Sequence, residues 1–231
     1  MTARYPLIEL RGISMRYPGA AATALEGISL TLGHGELITL SGPAGSGKST
    51  LIGVLALLLR PTSGRYLLNG LDTATLRDRE RAWIRSRQIG CVLQQPHLLP
   101  ARSVLDNVML AVMYSGEARA HRRIAAFDAL DLVGLAGEAH LLAGELAAGE
   151  QQRVAIARAI AAEPNLLLCD DPTACLDDAA AAHVITLLSG LRREGRTVLV
   201  ATGDQLAAAY SSRILAVGSM SQGMMTRGIG R

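Results

Sequence analysis

The stretch "SGPAGSGKST", Ser41 to Thr50, holds the one lysine of a 231-residue chain, in which 22 of the 23 Lys and Arg residues are arginine. Arginine use on that scale, beside abundant alanine, leucine and glycine, has the mark of a coding bias that replaces lysine wherever arginine works. Position 48 resists it. A guanidinium is a broad planar fork, whereas an ammonium on a flexible stem is a compact point charge that fits within a ring of backbone N–H groups. The spacing G-x-x-x-x-G-K-[ST] is met by Gly42, Gly47, Lys48 and Ser49. In that pattern the loop amides cradle phosphates and the serine hydroxyl ligates magnesium. The intervening Pro43, Ala44, Gly45 and Ser46, with Thr50 behind them, share the binding role. The flanks set the fold class: "ELITL" reads as a buried strand, and "STLIGVLALLL" as a helix whose N-terminus faces the anion. Strand, phosphate loop and helix together predict an α/β fold that binds ATP or GTP.

The rest of the chain narrows what that nucleotide is for. A length of 231 residues suits one large α/β domain, or one with an inserted subdomain. A net charge of +3 is small for this length and argues against nucleic acid as a partner. The densest basic stretch, "RDRERAWIRSR" from Arg77 to Arg87, interleaves acids with arginines and reads as a solvated helix face. Cys91, Cys169 and Cys175 are odd in number and lack metal-ligand spacing, so they are expected to be reduced thiols of a cytosolic protein. "MTARYPLIEL" alternates like a strand and shows no apolar leader core. The longest uncharged apolar run, Leu51 to Leu59, is far short of the ~20 residues of a membrane helix. A membrane role is therefore expected to come through a partner.

Three further motifs carry chemistry. "NLLLCDDP" is an apolar strand pattern ending in two carboxylates, which would deliver Asp170 to magnesium and Asp171 to the attacking water. "LAAGEQQRVAIARAIAAEP" reads as a glycine-containing turn and an amphipathic helix stopped at Pro164. "IGCVLQQPHLLP" places Gln94 at the end of another strand.

In this order and spacing, the ensemble resembles the ATP-binding subunit of ABC transporters over nearly the whole chain. The resemblance implies Tyr17 in "SMRYPG" as the aromatic that stacks on adenine, and Gln94 as the glutamine that joins the magnesium shell and the catalytic site. It implies "LLLCDD" as the Walker B strand, "LAAGE" as the signature loop, and Asp177 in "CLD" as the D-loop acid. The stretch from "LDTATLRDRE" to "QQPHLLP" is similar to the branch with lipoprotein-releasing, macrolide-exporting and cell-division ATPases. The implied fold is a P-loop NTPase: a RecA-like core with an antiparallel β-subdomain, and a helical subdomain inserted at about residues 95 to 163. The domain would span residues 4 to 218, with a short tail at 219 to 231. Two subunits, alike or different, would enclose two ATP molecules with Mg2+, each presenting Ala147, Ala148 and Gly149 to the other's phosphates. A membrane permease would hold the pair against the inner face of the cell membrane.

The sequence departs from the family pattern at the groups that act on the γ-phosphate. The signature LSGGQ or LSGGE is Leu146, Ala147, Ala148, Gly149, Glu150 here, which removes a hydroxyl and adds a methyl where backbone would approach phosphate. The catalytic glutamate is Asp171, shorter by one methylene or about 1.5 Å. Gly203 in "VLVATGD" stands where the switch histidine is expected. Binding groups are intact and catalytic groups altered, so hydrolysis is expected to be slow or absent. Three readings stay open: an energy-coupling transporter subunit, a nucleotide-gated regulator with little turnover, and a phosphoryl-transferring kinase, which Gln94 and the signature-type helix disfavour.

Overall fold

Two hydrophobic patterns sort the strands into two sheets. The computed structural model describes residues 5–113, 118–203, 205–217 and 225–228. Strands β1 (Ile8–Met15) and β2 (Leu25–Leu32) alternate buried and exposed positions, the mark of a sheet covered on one face. They pair antiparallel and, with β4 (Ser63–Leu68) and β5 (Leu71–Asp72), form a sheet of order β2-β1-β4-β5. By contrast β3 (Leu37–Ser41), β7 (Leu166–Asp170) and β8 (Thr197–Ala201) are buried almost throughout, as interior parallel strands require. With β6 (Ile89–Val92), β9 (Arg213–Ala216) and β10 (Met225–Gly228) they give a second sheet of order β10-β9-β3-β8-β7-β6. Only β10 runs antiparallel to its neighbour in it. Residues 225–228, assigned to a tail from the sequence, thus extend the main sheet.

The helices are α1 (Lys48–Leu55), α2 (Asp78–Gln88), α3 (Val104–Val112), α4 (Arg119–Leu132), α5 (Ala148–Ile160), α6 (Asp178–Arg193) and α7 (Gln205–Tyr210). One core lies between the two sheets around α1. The other joins α3, α4, α5 and α6 to the opposite face of the parallel strands through Leu167, Val198 and Val200. Helices α3, α4 and α5 occupy the segment read as a helical insertion.

Two further sequence expectations are corrected by the helices around α1. Helix α1 ends at Leu55 and does not run on to Leu59, because Leu57 turns left-handed at φ 57°. The freed carbonyls of Leu57 and Leu59 are taken by Arg81, which donates at 2.9 and 3.0 Å, and Arg85 joins at Leu57 at 3.0 Å. The basic stretch is a helix, α2, yet it is not wholly a solvated face, since Arg81 is 4% exposed and caps α1. Its remaining charges do face solvent, as in the Arg77–Glu80 and Arg60–Asp78 pairs. Among the described residues, no helix is long and apolar enough to cross a membrane.

Candidate nucleotide site

Strand register brings the expected groups to one edge of the main sheet. Leu40 of β3 and Asp170 of β7 both pair with Ala201 of β8, so three strands end together. The phosphate loop leaves from β3, the two acids close β7, and Thr202 with Gly203 follow β8. This carboxyl edge is where open parallel sheets hold their ligands.

The loop is built for an anion. Gly47 sits at φ 92°, and a methyl there would lie 2.4 Å from the Ala24 carbonyl oxygen, so only glycine can start α1 this way. Gly42 is equally confined, a methyl meeting the Val217 carbonyl oxygen at 2.6 Å. No side chain caps the N-terminus of α1, which leaves its first amides available to phosphate. Lys48 donates to the carbonyls of Gly42 at 2.7 Å and Pro43 at 3.0 Å, and so folds back across the loop mouth. Ser46 Oγ is buried and has no hydrogen-bond partner among the described residues, an orphan polar atom inside the cradle. The residues present therefore fit a triphosphate. Ser49 is exposed one residue beyond the lysine.

Tyr17 stands beside this loop, its hydroxyl 3.2 Å from Thr50 Oγ1. It is 41% exposed, which leaves its ring free to stack on a base and rules out a core role.

At the neighbouring strand end, Asp171 adopts φ 46°, a left-handed conformation that aspartate accepts more readily than longer side chains. Its N–H donates to the Ala201 carbonyl at 2.7 Å. Thr202 Oγ1 donates to Asp171 Oδ1 at 2.9 Å. Gly203 is exposed, and a methyl placed there would touch nothing within 4 Å, so the position is empty by sequence and uncrowded in space.

Gln94 lies exposed two residues past β6. Its loop is tied to α5 by side chains: Gln152 donates to the Leu93 carbonyl at 3.3 Å, and Arg158 to those of Pro96 at 2.6 Å and His97 at 3.0 Å. Burial lowers the Arg158 pKa from its ordinary value. The same helix carries the signature residues at its other end, so loop 93–97 and signature are joined by one rigid element.

The signature residues line two hollows that no phosphate-loop residue shares. Ala147 and Gly149 line a groove of about 310 Å³ with Glu150, Arg153, Asp177 and His183. Ala148 faces a smaller cavity of about 100 Å³ shared with Gln94, Pro172 and Cys175. Helix α5 begins at Ala148, so Gly149 lies within its first turn and not in a preceding turn, as the sequence suggested. Ala148 is consequently helical, a conformation alanine favours, and its methyl brings no backbone strain. Asp177 caps α6 by accepting from the Ala180 N–H at 2.8 Å. Among the described residues, no group of three His, Cys, Asp or Glu side chains could hold a metal unaided.

Sequence reasoning passed over Thr202, Gln152 and Arg158. Nothing in "VLVATGD" sets Thr202 apart before the pairing of β7 and β8 is known.

The profile of the ABC transporter family matches residues 25–174. The chain is 46% identical over 214 residues to the lipoprotein-releasing system ATP-binding protein LolD of Anaeromyxobacter dehalogenans, covering 91% of this chain and 90% of that one. It is 41% identical over 217 residues to the pyoverdine export ATP-binding/permease protein PvdT of Pseudomonas syringae pv. syringae, covering 93% of this chain. It spans only 33% of the length of that fused relative. Among solved structures, the ATP-binding cassette MJ0796, a dimer in a post-hydrolysis state with ADP and Pi, superposes with a TM-score of 0.83 at 34% identity. That superposition covers 91% of this chain and 94% of the other. With its phosphate loop, paired acids and signature helix in these places, the chain belongs to the ABC transporter family, as an ATP-binding cassette.

Proposed function

We propose that this chain is the ATP-binding subunit of a transporter, coupling ATP binding and slow hydrolysis to a membrane permease. The observation that carries the reading is the strand-end alignment of an intact phosphate cradle with two carboxylates, one of them held by a hydroxyl. Lys48 would exchange the carbonyls of Gly42 and Pro43 for outer phosphate oxygens, while the N–H groups of the residues from Ala44 to Thr50 hold the remainder. Tyr17 would orient the base. Ser49, Asp170 and Gln94 would hold Mg2+ jointly with the phosphates, the usual arrangement for an ion that dehydrates reluctantly. When bound, the ion neutralises charge developing on the phosphates. Asp171 would accept a proton from the attacking water.

No residue of the phosphate loop lines the hollows at the α5 N-terminus, which suits donation of the signature to a second subunit's phosphates. The structural relative's printed description as a dimer supports that assembly. In a homodimer each site would combine the short carboxylate and vacant switch position of one subunit with the hydroxyl-free signature of the other. With an unaltered partner, each site would inherit one defect. Each missing donor or orienter is worth about 10²–10³ in turnover, without additivity inside one site.

A permease surface is proposed where segments 99–103 and 141–144 hydrogen-bond together, exposing Leu99, Leu141 and Leu142. The permease would tether the subunit to the inner membrane face. The names of the relatives, ATP-binding proteins of release and export systems, favour this reading over a regulator without turnover. Calorimetric MgATP titration with phosphate-release assays, with and without the cognate permease in proteoliposomes, tests it. Binding with turnover that the permease alters supports it; binding with no turnover under either condition overturns it.

A further inference from the structure

We infer that Thr202 is the positioning residue for the Asp171 carboxylate, setting its aim in a site with no side chain at position 203. The inference rests on the ATPase reading above.

Both partners are fixed by the sheet and not by a mobile loop. The Asp171 N–H is anchored to the Ala201 carbonyl at 2.7 Å, and the Thr202 N–H to the Leu40 carbonyl at 3.1 Å. Thr202 is 1% exposed, so its hydroxyl has little freedom to turn away. The 2.9 Å bond engages Oδ1, and Oδ2, which takes no hydrogen bond among the described residues, is the oxygen assigned to the attacking water. A short side chain suits this geometry: the left-handed backbone at φ 46° is one that aspartate tolerates, and its carboxylate stays within reach of the adjacent strand end. A glutamate would carry its carboxylate about 1.5 Å farther out and away from this hydroxyl. Position 203 contributes no side chain, and a methyl built there would meet nothing within 4 Å. The chain thus orients its shortened base from the residue just before the one where the family places its histidine.

The experiment is a set of steady-state measurements on the full chain with MgATP: parent, Thr202→Val and Thr202→Ser, repeated in the Asp171→Glu background. Valine keeps the volume and loses the hydroxyl, whereas serine keeps the hydroxyl. Misaiming a catalytic group by about 1 Å costs on the order of a hundredfold. Thr202→Val should lower kcat by about 10- to 100-fold with KM and nucleotide affinity within about twofold of the parent. Thr202→Ser should stay within about threefold. In the Asp171→Glu background Thr202→Val should cost less than about threefold, since the pairing it removes is already absent. Full turnover by Thr202→Val would overturn the inference, as would equal losses in both backgrounds, which would mark a packing role. A parent with no turnover at all would overturn the ATPase reading itself.

Discussion

Ala147→Ser should both stabilise the protein and raise its turnover, and the two effects can be separated. Ala147 is the N-cap of α5, with the extended backbone, φ −63° and ψ 156°, that an N-cap adopts. The Glu150 carboxylate already accepts from the Ala147 N–H at 3.0 Å, half of a capping box. The other half needs a side-chain oxygen at residue 147, which alanine lacks. A serine hydroxyl there would accept from an amide one turn on, worth about 1 kcal/mol. In a domain of this size 1 kcal/mol raises Tm by roughly 2–4 °C. Thermal unfolding followed by circular dichroism, without nucleotide so that binding adds nothing, reads this directly. Ala147→Asp should stabilise as much or more, because a carboxylate also suits the positive end of the helix. It would place negative charge where a second subunit's phosphates approach, so turnover should fall below the parent while Ala147→Ser raises it. Ala148→Gly should lower stability, by up to about 1 kcal/mol, since residue 148 is helical. No gain in Tm for Ala147→Ser would refute its role as the cap of α5, and equal turnover for the serine and aspartate variants would refute the placement of this helix end at the phosphates.

Three other outcomes follow from the same geometry. Lys48→Ala should abolish nucleotide binding and Lys48→Arg should weaken it, because the Gly42 and Pro43 carbonyls enclose an ammonium; equal affinity for the arginine variant by calorimetry would make the lone lysine an accident of coding. Tyr17→Ala should weaken ATP more than inorganic triphosphate, since stacking acts on the base alone, and an equal loss for both ligands would deny the ring that role. Burial pushes the Cys91 thiol up to about 11, so native protein at pH 8 should react with a thiol reagent first at exposed Cys175. The sign of the stability effect is fixed by the raised value: the folded state keeps the Cys91 proton that the unfolded chain loses near 9.0, so this contribution is complete below that pH and declines as pH rises toward 11.

What was legible in the sequence was encoded in spacing along the chain. Gly42, Gly47, Lys48 and Ser49 are contiguous enough that the loop reads itself, and the apolar run before Asp170 can only be an interior strand. What was not legible depends on partners distant in sequence. The left-handed turn at Leu57 that follows α1 is held by Arg81, 24 residues farther on, so the run of leucines gave no sign of it. Asp171 and Thr202 are 31 residues apart and meet through the pairing of β7 with β8. Ala148 read as an obstruction because a glycine is expected there, yet its conformation is decided by where α5 begins. Residues 225–228 carry no strong strand pattern and are recruited by the open edge of β9.

The central claim is that this cassette binds MgATP through an intact cradle and hydrolyses it slowly through altered catalytic positions. Phosphate release at saturating MgATP tests it most directly, comparing the parent with the variant that combines Asp171→Glu, Gly203→His, Ala147→Ser and Ala148→Gly. The parent should turn over measurably, at least about tenfold below the combined variant, and the combined gain in a homodimer should exceed the product of the gains from the Asp171/Gly203 pair and the Ala147/Ala148 pair. A parent that already matches the combined variant would contradict the account.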